Sequence, residues 1–225
     1  MALNKNEHEI TVQGFLENLR KLNTLKTVDR ENVKQKIIEA RAQGDLSENA
    51  DYDAARDEQA VIEGKILEIE QILKTAIVRM TKDEEKKLRD ELDEKRKSQE
   101  DILKIKDIDE TNYNALKDQL PELEKRIYEL DSLFKKDIKH ENPNEKVVAT
   151  GKIVTFKYEG IDKEFTFEFV GQYEVDIEQD EANKILKISI DSPIGKSLKG
   201  KKIGEKVTFQ NEKGKTLTIK ILKIE

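Results

Sequence analysis

The sequence predicts an α+β protein in which long helices occupy the first two thirds and a small antiparallel sheet the last third. Charged residues make up 40% of the chain and hydrophobic residues 36%, a balance typical of long helices with a narrow apolar seam. Seven of the twelve aromatic residues and seven of the ten glycines follow residue 150, where strand-like runs begin. We therefore divide the chain into 1–79, 80–145 and 146–225, with the polar turn at 142–144 preceding the last boundary.

The first segment has the apolar spacing of two helices that pair through a seam. Thr11 is a candidate N-cap for the first helix, and Gly44 supplies the left-handed conformation that ends it. The seam residues recur mainly at steps of three and four, as in an antiparallel coiled-coil hairpin with its tip at 44–47. Residues 29–32 fit either a break or a solvated turn. The seam consists of Phe15, Leu19, Leu22, Leu25, Val33, Ile37 and Ala40, then Ile62, Ile66, Ile69, Leu73 and Ala76.

The second segment predicts a further helical hairpin. Its first helix has only a thin apolar stripe, and its second has a regular one. Residues 109–112, with the sequence DETN, give a turn and an N-cap, whereas Pro121 either starts a helix or kinks one. The stripes consist of Leu88, Leu92 and Ile102, then Leu116, Leu120, Leu123, Ile127, Leu130 and Phe134.

The third segment predicts five strands and one short helix. Ser192 followed by Pro193 is a typical start for that helix. Three phenylalanines at 165, 167 and 169 alternate with polar residues, which indicates sheet core rather than a proline-binding pocket. The predicted strands are 152–158, 164–170, 185–190, 206–210 and 216–224.

Composition excludes several classes of function. The chain has no cysteine, so it forms no disulfides. Its net charge is −6, so its overall charge does not attract nucleic acid. Residues 1–7 lack the apolar core of a signal peptide. No apolar run approaches the roughly 20 residues of a membrane span. We expect a soluble, cytoplasmic protein.

Asp45 and Glu48 are the most informative polar residues. Their spacing across the turn lets both carboxylates project from the same end of the hairpin. Such a pair could share a hard cation such as Mg²⁺, which takes oxygen ligands. On spacing alone, a simpler interpretation is that both residues cap the second helix and complement the partial positive charge at its N-terminus. Each would then stabilise the helix by about 0.3–1 kcal/mol.

Two runs resemble one known family. Residues 39–59, with the sequence EARAQGDLSENADYDAARDEQ, resemble the coiled-coil tip of the Gre family of bacterial transcript cleavage factors. Residues 188–204, with the sequence ISIDSPIGKSLKGKKIG, are similar to the C-terminal domain of that family, which has an FKBP-like fold. The resemblance covers roughly 10–79 and 146–225.

The resemblance implies a partner and a mechanism. In that family the coiled coil enters the secondary channel of bacterial RNA polymerase, and the C-terminal domain docks at the channel rim. Asp45 and Glu48 match the two tip carboxylates that help to hold a second Mg²⁺ in the polymerase active centre during cleavage of backtracked RNA. We therefore expect a protein that is not itself an enzyme and that in the free state binds no Mg²⁺ tightly.

Further residues match positions that contact RNA or polymerase in the family. Arg41 and Arg56 match arm residues that face the 3′ end of backtracked RNA; the alternative is that they pair with Glu39, Asp53 or Asp57. Beside the carboxylates, Asn49 and Tyr52 either brace the tip or contact polymerase, and Ser47 is expected to contact RNA or polymerase. Asp191 and Pro193 match the loop that docks at the rim, although both also fit a simple helix start.

About 65 residues between the two resembling segments are extra. Two other functions stay open on the sequence: an inhibitor that occupies the polymerase channel without stimulating cleavage, and a chaperone-like module whose coiled coil binds client proteins.

Overall fold

The structure is a computed structural model that describes residues 8–42, 50–142, 144–175, 185–211 and 214–225. It is a mixed helix and sheet protein, as predicted. The chain divides into two compact units. One is Phe15–Ala76, and the other comprises the described residues before Phe15 and after Ala76. The predicted segment boundaries at 79/80 and 145/146 stay predictions.

Helices form the unit Phe15–Ala76. Helix α1 spans Val12–Thr24, α2 Arg30–Ala42 and α3 Ala50–Thr75. A π-helical turn, Leu25–Asp29, joins α1 to α2, so the chain neither breaks nor turns at 29–32. The wider turn accommodates the eight-residue step between Leu25 and Val33, both of which are buried. Every predicted seam residue in this unit is buried except Leu22, which is half-buried.

Ion pairs show that α2 runs antiparallel to α3. Arg30 donates two hydrogen bonds to the Glu63 carboxylate, at 2.8 and 2.7 Å. Lys36 Nζ lies 2.6 Å from Glu58 Oε2, farther along α2 and earlier on α3. Because exposed pairs contribute only about 0–1 kcal/mol, the buried seam rather than these pairs stabilises the helix packing.

A three-stranded sheet that the sequence analysis did not predict begins the second unit. Strands β1 (His8–Thr11), β2 (Ala76–Thr81) and β3 (Asp137–Glu141) lie in the order β1-β2-β3. The strands β2 and β3 are parallel, with Ile77 opposite Asp137. Alternate residues of β2 are buried, the period-two pattern of a strand.

Helices α4 (Lys82–Ile105), α5 (Glu110–Leu116) and α6 (Leu120–Phe134) connect β2 to β3. Asp109 caps α5 by accepting a hydrogen bond from the Asn112 amide at 3.0 Å. Pro121 lies in the first turn of α6 and so starts the helix rather than kinking it. The helices α4 and α6 pack antiparallel: Arg89, early in α4, lies 4.2 Å from the ring centroid of Phe134, the last residue of α6. Their contact surface buries Leu92, Ile102, Leu130 and Leu133.

The last part of the chain forms a sheet of five strands: β4 (Lys152–Tyr158), β5 (Glu164–Val170), β6 (Leu186–Ser189), β7 (Lys206–Gln210) and β8 (Thr216–Ile224). They lie in the order β6-β5-β4-β8-β7. The predicted antiparallel sheet is wrong in one pairing, because β5 and β6 are parallel. Parallel neighbours need a crossover of about a dozen residues, and residues 171–185 supply that length.

The core of this sheet is aromatic and aliphatic. Phe156 stacks on Phe167 at 5.6 Å between ring centroids, and Phe169 is fully buried. The phenylalanines therefore pack as sheet core, as their alternation predicts. Helix α7 (Pro193–Leu198) starts at Ser192, whose hydroxyl accepts a hydrogen bond from the Gly195 amide at 3.1 Å.

Candidate functional site

The ends of α2 and α3 flank the predicted carboxylate tip. Helix α2 ends at Ala42 and α3 begins at Ala50. Because the two helices are antiparallel, these ends lie on the same side of the unit. Four predicted site residues between them lie outside the described residues: Asp45, Ser47, Glu48 and Asn49.

Arg41 and Tyr52 meet across the two helix ends. The Arg41 guanidinium donates a hydrogen bond to the Tyr52 hydroxyl at 3.3 Å, and its central carbon lies 5.5 Å from the ring centroid. This hydrogen bond lowers the pKa of Tyr52. The contact joins the described ends of α2 and α3 next to residues 43–49, and the bracing role of Tyr52 stays a prediction.

Arg56 lies about one turn farther along α3, where its guanidinium donates a hydrogen bond to Gln59 Oε1 at 2.6 Å. Arg41 and Arg56 are both exposed. In the described part of the chain, neither forms an ion pair with Glu39, Asp53 or Asp57. The positive charge of both guanidiniums therefore remains available to an anion.

Asp191 and Pro193 lie in the other unit, in the tight loop from β6 to α7. The Asp191 amide donates a hydrogen bond to the Ser189 hydroxyl at 3.1 Å, and Pro193 occupies the first turn of α7. A Cβ atom on Gly195 would lie 2.3 Å from the Ser189 carbonyl oxygen, so this loop requires glycine there. The half-exposed Asp191 and exposed Pro193 are held on one small rigid surface.

Across the ranges that the structure describes, no group of three or more His, Cys, Asp or Glu residues is placed to hold a metal ion. Asp45 and Glu48 lie outside those ranges, so the predicted shared Mg²⁺ stays a prediction. No helix of the described residues is long and apolar enough to cross a membrane.

A buried ionic cluster, not predicted from the sequence, surrounds Glu9 of β1. The Glu9 carboxylate, 2% exposed, lies 3.0 Å from Arg79 of β2 and 2.7 Å from Lys139 of β3. Arg79 also pairs with Glu141 at 2.8 Å, and Lys199, after α7, lies 3.7 Å from Glu9. Burial alone would raise the pKa of Glu9, but the Lys139 hydrogen bond and the neighbouring cations together lower that pKa to about 2. The cluster joins all three strands of the small sheet to the segment after α7.

A second buried carboxylate, Glu174, holds the start of α1. It accepts hydrogen bonds from the Thr11 amide at 3.0 Å, the Gly171 amide at 2.8 Å and the Thr11 hydroxyl. Burial raises the pKa of Glu174, and the three hydrogen bonds oppose that rise. The Thr11 hydroxyl also accepts a hydrogen bond from the Gly14 amide at 3.0 Å, so Thr11 is the predicted N-cap.

Acid should weaken the fold through Glu9. A carboxyl whose pKa is about 2 when folded and about 4.3 when unfolded contributes stability that is present above pH 4.3 and is lost as the pH falls towards 2. We expect a loss of about 3 kcal/mol in the free energy of unfolding across that interval. Glu174 works in the opposite direction, because its raised pKa favours folding in acid. Urea unfolding of wild type and Glu9→Gln between pH 2 and 6 isolates the Glu9 contribution as their difference, which should shrink in acid; a constant difference would contradict the assignment.

Gly171 should not tolerate a side chain. Its backbone has an ordinary φ of −62°, but a Cβ atom there would lie 2.4 Å from the Glu9 carbonyl oxygen and 2.7 Å from Glu174 Oε1. We expect Gly171→Ala to lower the free energy of unfolding by about 1–3 kcal/mol. Gly64→Ala is the control: no atom lies within 4 Å of its Cβ position, and alanine in the middle of α3 should stabilise by about 0.5–1 kcal/mol. Equal effects of the two substitutions in urea unfolding would rule out the steric explanation.

Two family models match the chain. Residues 8–78 match "Transcription elongation factor, N-terminal" and residues 142–225 match "Transcription elongation factor, GreA/GreB, C-term". The predicted resemblance at roughly 10–79 and 146–225 is thereby confirmed. The models leave 79–141 unmatched, which corresponds to the predicted extra segment.

Curated relatives and a solved structure match over most of the chain. A transcription elongation factor GreA of Bacillus cereus is 32% identical over 207 residues, covering 92% of this chain and 90% of the relative. One of Geobacillus kaustophilus is 29% identical over 222 residues, covering 99% of both. Among solved structures, GreA factor homolog 1 (Gfh1) of Thermus thermophilus is 16% identical, covering 97% of this chain and 99% of that chain, with a TM-score of 0.32.

Proposed function

This chain belongs to the Gre family of transcription elongation factors, and from that membership we propose that it stimulates transcript cleavage by bacterial RNA polymerase. The helical unit enters the secondary channel, and the unit with the five-stranded sheet docks at the channel rim. The observation that carries this proposal is the match of residues 39–59 to the family tip, including both carboxylates, within a chain that aligns with GreA proteins over nearly its whole length.

Asp45 and Glu48 supply the chemistry in this proposal. Both are acceptor-only oxygen groups when ionised, and Mg²⁺ commonly takes one or two carboxylates while retaining water. A second Mg²⁺ in the polymerase active centre would activate the attacking water or stabilise the leaving oxygen. The factor lends ligands to a site that lies within polymerase, and it performs no reaction alone.

The helical unit suits the delivery of such ligands. Its buried seam and cross-helix ion pairs hold α2 and α3 side by side, and the Arg41–Tyr52 contact ties their ends together. A braced tip lowers the conformational entropy that the carboxylates lose when they bind the metal. In the other unit, the rigid loop that carries Asp191 and Pro193 is the proposed contact with the rim.

Arg41 should position RNA by its charge. It is exposed and forms no ion pair with Glu39 or Asp53 in the described part of the chain, so a phosphate of the displaced RNA 3′ end can bind to it. We expect Arg41→Ala to raise the factor concentration needed for half-maximal cleavage. The slope of log affinity against log salt should fall by about 0.7 for one lost contact with single-stranded nucleic acid. Lys65→Ala, an exposed cation farther along α3, should leave the slope unchanged; a change shared by both variants would indicate a general charge effect.

The proposal is tested by RNA cleavage in stalled, backtracked elongation complexes. Polymerase from the same organism should be combined with Mg²⁺, end-labelled RNA and increasing amounts of the factor, and cleavage and resumed elongation should both be followed. We expect faster removal of the RNA 3′ segment and recovery of arrested complexes. A factor that binds the complexes but slows cleavage and elongation would instead be a channel inhibitor. A factor that binds no polymerase and suppresses aggregation of unfolded clients would be the chaperone-like module.

A further inference from the structure

Three lysines lie side by side on adjacent strands of the five-stranded sheet. Lys157 on β4 is directly opposite Lys220 on β8, and Lys220 is directly opposite Lys206 on β7. Residues opposed in this way have Cβ atoms about 4.5–5.5 Å apart, and like charges at these positions destabilise a sheet. We call Lys157, Lys206 and Lys220 the lysine row; it opposes folding unless an anion neutralises it.

Carboxylates of the chain neutralise the lysine row only in part. Glu159 accepts a hydrogen bond from Lys206 at 2.8 Å. Glu164 is the β5 residue opposite Lys157, yet the two form no ion pair. Within the ranges that the structure describes, Lys157 and Lys220 are paired with no carboxylate. Two ammonium groups are therefore available to an anion from solution.

The lysine row borders a cavity of about 330 Å³ at the end of the sheet, a volume within the range of small-molecule sites, about 300–1,000 Å³. The β4–β5 loop, residues 159–162, forms another part of the wall. Ile161 is 51% exposed there and offers an apolar surface. Tyr158 also lines the cavity.

We infer that this cavity binds a compact polyphosphate, that is, a pyrophosphate group either free or carried by a nucleoside. Two adjoining phosphates match the close spacing of the ammonium groups and would relieve their mutual repulsion. A nucleoside would in addition cover Ile161. An extended nucleic acid fits less well, because Glu159, Asp162 and Glu164 flank the lysine row and would face its continuing backbone. This site is separate from the proposed cleavage role and does not depend on it.

The test is calorimetric titration of the full-length protein with pyrophosphate and, separately, with GDP at low ionic strength. Both should bind at one site, and added salt should weaken both. Lys220→Gln should weaken each by about tenfold or more, the amount expected for a lost charged hydrogen bond. It should leave the Tm unchanged or raise it, because it removes the like-charge repulsion. Lys223→Gln is the matched control: Lys223 is on the same strand, pairs with Glu225 at 2.7 Å and does not line the cavity.

The two ligands distinguish the possible sources of the phosphate. Tighter binding of GDP than of pyrophosphate would identify a nucleotide as the ligand of the cavity. Equal binding would show that the cavity recognises the pyrophosphate group alone. The proposal is overturned if neither binds at millimolar concentration, or if Lys220→Gln and Lys223→Gln weaken binding equally. It is also overturned if a single-stranded RNA oligonucleotide binds more tightly than both ligands and depends on Lys220, since the row would then be a nucleic-acid surface.

Discussion

A variant with Asp45→Ala and Glu48→Ala together should lose stimulation of RNA cleavage while it still binds polymerase. Metal-ion catalysis supplies several kcal/mol of transition-state stabilisation, and each 1.4 kcal/mol corresponds to a tenfold change in rate. We therefore expect cleavage at saturating factor to slow by at least about 100-fold. Binding should persist, because the proposed rim contact lies in the unit that contains Asp191 and Pro193.

The control for this variant is Asp57→Ala with Glu68→Ala. Both residues are exposed acids farther along α3, so the control has the same change in net charge. Displacement of a labelled wild-type factor from polymerase measures binding, and high Mg²⁺ should partly restore cleavage if the lost groups are metal ligands. If the Asp45/Glu48 variant stimulates cleavage as well as the wild-type factor does, the two carboxylates have no part in the mechanism.

Glu9→Gln should produce the largest loss of stability. The substitution leaves Arg79 and Lys139 facing a neutral amide within a buried cluster, and loss of one partner from such a cluster costs about 3–5 kcal/mol. Arg79 keeps its 2.8 Å contact with Glu141, so we expect a value near the lower limit. Urea unfolding at neutral pH measures the change. Glu68→Gln on exposed α3 should stay within about 0.5 kcal/mol of wild type, and a similarly small effect of Glu9→Gln would show that the cluster stabilises little.

Helix spacing and capping could be predicted because their signals are local. Thr11, Asp109 and Ser192 each accept the amide hydrogen bond expected of an N-cap. Most strands of the five-stranded sheet were predicted with their observed bounds, since β-branched and aromatic runs end at turn residues.

The small sheet was missed because its signals are weak or ambiguous. Strand β2 follows directly on a 26-residue helix, and its first residue, Ala76, continues the helical series. Only the alternate burial of Ala76, Val78 and Met80 distinguishes it from one more helical turn. Four of the five residues of strand β3 are charged or polar, so the strand lacks any apolar pattern.

The charged cluster depends on partners that are distant in sequence. Glu9 meets residues 70 and 130 positions later, and nothing in the local sequence marks a burial site for it. The tip differs, because Asp45 and Glu48 were found through a continuous family resemblance. The parallel β5–β6 pairing could not be predicted either, since strand spacing does not fix the direction in which a long connection returns.

The parallel pairing of β2 with β3 limits how this chain could lose or gain its middle segment in evolution. Strand β2 ends at Thr81, which is opposite Glu141 at the end of β3, and β3 begins opposite Ile77 near the start of β2. The chain that connects the end of β2 to the start of β3 must therefore return along the length of the sheet. A tight turn cannot make that connection, because parallel strands require a crossover. Deletions near α5 would only shorten the α4–α6 pair, but excision at its base would also remove β3 and with it the Lys139 and Glu141 contacts. In this chain the segment therefore contributes one strand and two ionic contacts to its unit, and it is not a separate module.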